Sequence, residues 1–115
     1  MHFILKGVMM ELDIVELRKL YKDDMVFLTA HCALRLEQRG ITEDDIESAL
    51  NNGTIIEHYP KDYPWPSCLI LGYSNKRPLH LCIGSSGEAG KLITAYWPDP
   101  DKWENDFMQR KENDE

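Results

Sequence analysis

The strongest constraint on the fold is a change of hydrophobic period at Thr54. From this residue onward, apolar and polar side chains alternate in short stretches, which is the pattern of β-strands. The connectors at 74–78 and 85–90 are short enough for hairpins, so the strands should form a largely antiparallel sheet. The predicted strands are residues 54–59, 68–73, 79–84 and 91–97.

Helical patterns fill the part of the chain before Thr54. Asp13 and Thr42 each open a capping-box pattern, Thr29 can cap a further helix, and Gly40 can end that helix. The predicted helices are residues 13–22, 29–39 and 42–52. Asp101 can also cap a short final helix. Helices followed by a meander of strands predict an α+β fold, with the N-terminal helices packed on one face of a four-stranded sheet.

Length and charge limit the domain organisation and the partners. The chain has 115 residues, which suits a single domain, predicted over residues 1–103 with an acidic polar tail at 104–115. The net charge of −7 excludes a wide basic surface for nucleic acid, but a local basic site is possible because residues 99–115 hold seven acids and three bases.

The location of the protein is predicted from three absences. Residues 1–10 lack the pattern of a secretory signal peptide, and no apolar run reaches the ~20 residues of a membrane span. Three cysteines, an odd number without a CxxC spacing, favour reduced thiols. We therefore expect a cytoplasmic protein without a membrane contact.

The second predicted helix carries a cationic stripe. His31, Arg35 and Arg39 follow one another at intervals of four, so they share one helix face over roughly 12 Å. Arginine guanidinium groups match phosphate oxygens, and a histidine in the first helical turn should stay neutral and could act as a base. The alternative is a solvated helix face. Its arginines would pair with Glu37, Asp44 or Asp45.

Two strands carry further candidates. Alternation in the third strand points His80 away from its apolar neighbours, either into a groove or into a half-buried structural position. Lys76 and Arg77 add positive charge at the start of that strand. Thr94 and Tyr96 share one face of the last strand, where they could contact a phosphoryl group or take part in proton transfer, or simply pack across the sheet.

Motifs for metal, nucleotide or serine chemistry are missing. No histidine or cysteine pair has the spacing of zinc ligands, and the glycine-containing segment 84–90 lacks the ending of a phosphate-binding loop. No serine lies in a nucleophile-elbow pattern. We therefore expect neither a metal ion nor another cofactor.

Together these motifs resemble domain-of-unknown-function family 4258 over about residues 27–103. The motifs that carry the resemblance are His31-Cys32-Ala33-Leu34-Arg35, Gln38-Arg39-Gly40-Ile41-Thr42, Asn52-Gly53-Thr54-Ile55-Ile56-Glu57, Arg77-Pro78-Leu79-His80-Leu81 and Ile93-Thr94-Ala95-Tyr96-Trp97. The resemblance implies a curved sheet similar to that of RelE-like and MqsR-like ribonuclease toxins. It also implies an antitoxin partner with an MqsA-like zinc-finger domain.

The resemblance also implies a mechanism: metal-independent RNA cleavage in which the ribose 2′-OH attacks the adjacent phosphorus. His31, His80 and Tyr96 would be the catalytic residues. Arg35, Arg39, Lys76, Arg77 and Thr94 would bind the RNA. The two-histidine form of this mechanism requires His31 and His80 to face one groove. The first alternative is a non-catalytic protein-interaction domain. A third possibility is a small-molecule or metal-binding module.

Overall fold

The computed structural model describes residues 11–112, so the expectation about a signal peptide in residues 1–10 lies outside the described residues. Three helices and five strands form an α+β fold. In chain order the elements are α1 (Ile14–Lys22), β1 (Val26–Phe27), α2 (Ala30–Gln38), α3 (Glu43–Asn52), β2 (Thr54–Tyr59), β3 (Ser67–Ser74), β4 (Arg77–Ser85) and β5 (Gly90–Tyr96).

The helices begin at the predicted capping residues. The Asp13 carboxylate accepts a hydrogen bond from the backbone N–H of Val15, at 3.0 Å, and starts α1. Thr29 caps α2 in the same way. At α3, Thr42 and Asp45 each accept a bond from the other's backbone N–H, which completes a capping box. These side chains satisfy amide groups that have no partner inside the helix.

The sheet has the order β1-β5-β4-β3-β2. The four predicted strands are confirmed, and they pair antiparallel with their neighbours. The prediction of a four-stranded sheet is wrong, because β1 adds a fifth strand that runs parallel to β5. With only Val26 and Phe27 in it, β1 is too short to show alternation.

The helices cover one face of the sheet, called here the helix face. Leu79, Leu81 and Ile83 of β4 point to this face and are fully buried against the helices. Helix α3 lies especially close to β3, because Gly72 has no side chain to hold it away. A Cβ atom at Gly72 would come within 1.9 Å of the Ala49 carbonyl oxygen.

The opposite face, called here the outer face, is partly covered by the C-terminal strap, residues 99–112. The predicted final helix is wrong: the strap consists of turns and one bridge between Trp103 and Arg110. Trp103 is 4% exposed. The strap thus continues beyond the domain boundary predicted at residue 103.

Among residues 11–112, none of the helices has the length and apolar character needed to cross a bilayer.

Candidate functional site

A small cleft between α2 and β5 brings together residues from two distant parts of the sequence. It encloses about 230 Å³. We call it the α2–β5 cleft. Its lining residues are His31, Cys32, Arg35, Leu36, Arg39, Ile93 and Thr94.

The cleft exists because β5 has a partly unpaired edge and a bulge. Strand β1 pairs only with Gly90 and Lys91, so α2 can lie along the remainder of this edge. The pairing of β4 with β5 shifts at Ile93, which lies between the residues paired with Ile83 and Cys82. Such bulges redirect the side chains next to them, and Thr94 follows directly.

Arg39 joins the helix to the strand. Its Nη1 donates to the Thr94 hydroxyl oxygen at 3.1 Å and to the Ala95 carbonyl oxygen at 2.8 Å. The Arg39 carbonyl oxygen accepts from the Trp97 indole Nε1 at 2.9 Å. The guanidinium group is therefore held in place, and within residues 11–112 its Nε and Nη2 have no hydrogen-bond acceptor.

The cleft is positively charged in a protein that is negative overall. Among the described residues, no carboxylate forms an ion pair with Arg35 or Arg39. The predicted pairs with Glu37, Asp44 or Asp45 are not formed within residues 11–112, although His31 and Arg35 are exposed, as the alternative of a solvated helix face also expects. Asp45 instead bonds to Thr42 and Ser74.

Cys32 is a buried thiol on the lining of the cleft. Burial raises the pKa of the Cys32 thiol, while the charges of Arg39 and Lys91 act in the opposite direction. Arg39 lines the cleft itself. An anion is the ligand that such a cleft can hold, and guanidinium groups favour phosphate or carboxylate.

His31 is exposed at the start of α2 and lines the cleft beside Arg35. An exposed imidazole that borders an anion site can exchange a proton with a bound group. Of the predicted site residues, His31, Arg35, Arg39 and Thr94 are thus brought together.

His80 lies elsewhere and is 0% exposed. Its Nε2 is 2.8 Å from the Phe107 carbonyl oxygen, and its Nδ1 is 3.2 Å from the Tyr96 hydroxyl. Because a carbonyl oxygen only accepts, Nε2 carries the proton, and in the neutral ring Nδ1 accepts from Tyr96. The ring also packs edge-on against Trp103, with centroids 4.4 Å apart. Both ring nitrogens thus have hydrogen-bond partners, as expected for a structural histidine. The ring is completely buried, whereas the structural alternative predicted a half-buried position.

The two histidines do not line the same cleft. His31 is exposed on α2 beside the edge of β5, whereas His80 and the half-buried Tyr96 point to the outer face, under the C-terminal strap. They do not share a groove, so the requirement of a two-histidine mechanism is not met by this arrangement.

Comparison with protein families assigns the central part of the sequence to a family. The model described as "Domain of unknown function (DUF4258)" matches residues 28–97, more than half of the sequence. The chain belongs to the DUF4258 family. The matched part contains the whole α2–β5 cleft, whereas α1 and the C-terminal strap lie outside it. No curated protein and no solved structure matches the chain.

Lys76 and Arg77 of the DUF4258 domain lie outside the cleft lining. Lys76 is exposed in the β3–β4 turn, with a positive φ of 67°. Arg77 is also exposed, and its guanidinium carbon lies 3.8 Å from the centroid of the Trp97 ring.

Sequence reasoning missed a second polar cluster, which fastens the C-terminal strap to the DUF4258 domain. Arg110 donates from Nε and Nη2 to the Glu57 carboxylate, at 3.0 and 3.1 Å, and lies over the Trp103 ring. The Tyr59 hydroxyl donates to the same carboxylate. Hydrogen bonds from Arg110 lower the pKa of Glu57, and burial, more than the carboxylate, raises the pKa of Tyr59 to about 12. No local signal links two residues so far apart in sequence.

The described residues offer no group of three His, Cys, Asp or Glu side chains placed to hold a metal ion. Cys32, Cys68 and Cys82 are free thiols. Burial raises the pKa of each of them, which disfavours the nucleophilic thiolate form.

The buried His80 predicts that the DUF4258 protein loses stability in mild acid. Burial lowers the pKa of His80 in the folded state, so the unfolded chain, with a histidine pKa of about 6.5, binds the proton more readily. The free energy of unfolding should therefore be largest above about pH 6.5 and fall as the pH decreases through the folded-state pKa. Urea unfolding at a series of pH values measures this dependence.

The variant His80→Gln should flatten the dependence on pH in this range, although it should also be less stable at neutral pH because it loses contacts with Trp103. An unchanged slope in His80→Gln would show that other groups cause the acid sensitivity.

Proposed function

We propose that this protein is an endoribonuclease that holds an RNA phosphodiester in the α2–β5 cleft. One observation carries the proposal: His31, Arg35, Arg39 and Thr94, from two separate parts of the chain, line a single cleft in which no carboxylate among residues 11–112 neutralises the arginines. A general base beside fixed guanidinium groups is what phosphodiester cleavage requires.

In the proposed reaction His31 removes the proton from the ribose 2′-OH. The 2′ oxygen then attacks the adjacent phosphorus, and the bond from phosphorus to the 5′ oxygen breaks. Arg35 and Arg39 bind the non-bridging oxygens as negative charge develops on them, and Thr94 keeps Arg39 in position. Water protonates the leaving 5′ oxygen, because His80 is enclosed. The products are a 2′,3′-cyclic phosphate and a 5′-OH end.

We further propose that the protein is the cytoplasmic toxin of a toxin–antitoxin pair, related to the RelE-like and MqsR-like toxins. The support is the resemblance of residues 27–103 and the order of helices before an antiparallel sheet, which is an analogy at the level of the fold. The expected partner is an antitoxin with an MqsA-like zinc-finger domain. The net charge of −7 favours RNA that is presented by another particle, such as a ribosome, over extended contact with free RNA.

The decisive experiment is cleavage of RNA by the purified full-length protein in the presence of EDTA, with ribosomes absent and then present. We expect fragments with 2′,3′-cyclic phosphate ends and growth arrest on strong expression. Arg35→Ala should lower the cleavage rate by about 100- to 1,000-fold, since it removes one group that stabilises the transition-state charge.

Glu37→Gln is a suitable control, because Glu37 is exposed on α2 and does not line the cleft. RNA that stays intact under both conditions, together with normal growth, would contradict the proposal. The cationic cleft would then remain as a binding site of a non-catalytic interaction domain, for an acidic surface of another protein.

A further inference from the structure

The basic surface does not end at Arg39. Trp97 bonds to the Arg39 carbonyl oxygen, and Arg77 stacks on the Trp97 ring. Alternation along β4 places Arg77 on the same face as Leu79 and Leu81, which is the helix face. Arg39, Trp97 and Arg77 therefore form one continuous row at the end of the sheet. We call Trp97 and the Arg77 side chain that lies on it the Arg77–Trp97 platform.

The length of the row exceeds that of one phosphodiester. His31 and Arg39 are roughly 12 Å apart along α2. Trp97, the first residue after β5, lies about 7 Å farther along the chain than Ala95, the residue that Arg39 binds. A polynucleotide held in the α2–β5 cleft would thus reach the Arg77–Trp97 platform with a nucleotide beyond the two that the bound phosphodiester joins.

The chemistry of the platform suits a nucleobase next to a phosphate. Stacking on the Trp97 indole holds the planar guanidinium group of Arg77 in place. Arg77 itself is an exposed residue. Such a plane stacks on bases, while its N–H edge binds phosphate oxygens. Asp45 is near enough for Arg77 to contribute to its lowered pKa, chiefly caused by Ser74, but the two side chains form no ion pair.

We propose that the Arg77–Trp97 platform is a second subsite of the α2–β5 cleft, which stacks on the base of a nucleotide beyond the two that the bound phosphodiester joins. The substrate class is then single-stranded RNA longer than a dinucleotide, because in a duplex the faces of the bases are already stacked. This inference rests on the proposed function for the position of the phosphodiester, but its binding step can be measured separately.

The test is binding of a short fluorescent 2′-O-methyl oligoribonucleotide, which lacks the attacking hydroxyl, to the full-length protein. A single strand, the same strand in a duplex and a matching dinucleotide are compared. Arg77→Ala and Arg77→Lys should each weaken binding of the single strand by about 5- to 100-fold. Both should leave binding of the dinucleotide unchanged, and the wild-type protein should prefer the single strand to the duplex.

Two controls separate stacking from charge. Arg77→Lys keeps the charge but loses the planar group, and Lys61→Ala removes an exposed charge in the β2–β3 loop. Wild-type affinity in Arg77→Lys, equal losses in Lys61→Ala and Arg77→Ala, or equal binding of single strand and duplex would each overturn the platform. Because Arg77 is exposed, its variants should keep the wild-type unfolding midpoint.

The outcomes for binding and for cleavage can be told apart. Binding that depends on Arg77 without cleavage of any RNA would leave the platform standing and reject the nuclease. Cleavage that depends on His31, together with wild-type binding by both Arg77 variants, would support the nuclease and reject the platform. Absence of binding by the wild-type protein would reject the platform, and the cleavage assay with and without ribosomes would then decide the nuclease by itself.

Discussion

We expect His31→Gln to lower the rate of RNA cleavage by about 100- to 10,000-fold, the usual contribution of a general base. A glutamine side chain can keep a hydrogen bond to the 2′-OH but cannot take its proton. Because His31 is exposed in the first turn of α2, the substitution should not disturb the core. Single-turnover cleavage in EDTA measures the effect, with urea unfolding to show that the variant is folded.

Glu37→Gln again provides the matched control, since it introduces the same residue on the same helix outside the cleft. Full activity in His31→Gln alongside loss of activity in Arg35→Ala would mean that the cleft binds RNA and that the proton moves elsewhere. Full activity in both variants would remove the α2–β5 cleft from the mechanism.

The part of the cleft that lies on α2 could be predicted because it depends only on local geometry. Intervals of four residues between His31, Arg35 and Arg39 fix a common helix face, whatever the helix packs against. The position of Thr94 could not be predicted in this way. It depends on the bulge at Ile93 and on an edge of β5 that β1 leaves uncovered, and both are properties of the assembled sheet.

His80 shows what the alternation of polar and apolar residues can predict and what it cannot. The pattern correctly points His80 away from Leu79 and Leu81, but it does not say what covers the outer face. That cover is a polar segment whose contacts with His80 come from the Phe107 backbone and Trp103. The available signal was Trp103, one of two aromatic residues in this mostly polar segment, because burying such a ring stabilises a segment that has few other apolar groups.

The same limit explains the missing strand. Two residues cannot display a period, and β1 forms because Val26 and Phe27 pair with the first two residues of β5. Long-range pairing of this kind overrides local preference. Its consequence for the site is direct, since a longer β1 would occupy the edge along which α2 now lies.

The largest expected effect on stability comes from Gly72→Ala. The new methyl group would lie 1.9 Å from the Ala49 carbonyl oxygen and within 2.6 Å of two further backbone atoms of Ala49, so relief requires moving α3 away from β3. Backbone atoms cannot rotate aside as a flexible side chain can. We expect a loss of about 3 kcal/mol or more in the free energy of unfolding, at the upper end of the effects of overpacking.

Gly84→Ala is the matched control in the same sheet. Its Cβ would meet Pro66 and Ile93 at 3.4 and 3.5 Å, which is ordinary contact, so its unfolding midpoint in urea should be close to that of the wild-type protein. Equal stability of the two variants would mean that α3 does not approach β3 as closely as described. Because α3 does not line the α2–β5 cleft, the folded fraction of Gly72→Ala should still bind the oligonucleotide, which separates a loss of folding from a loss of the site.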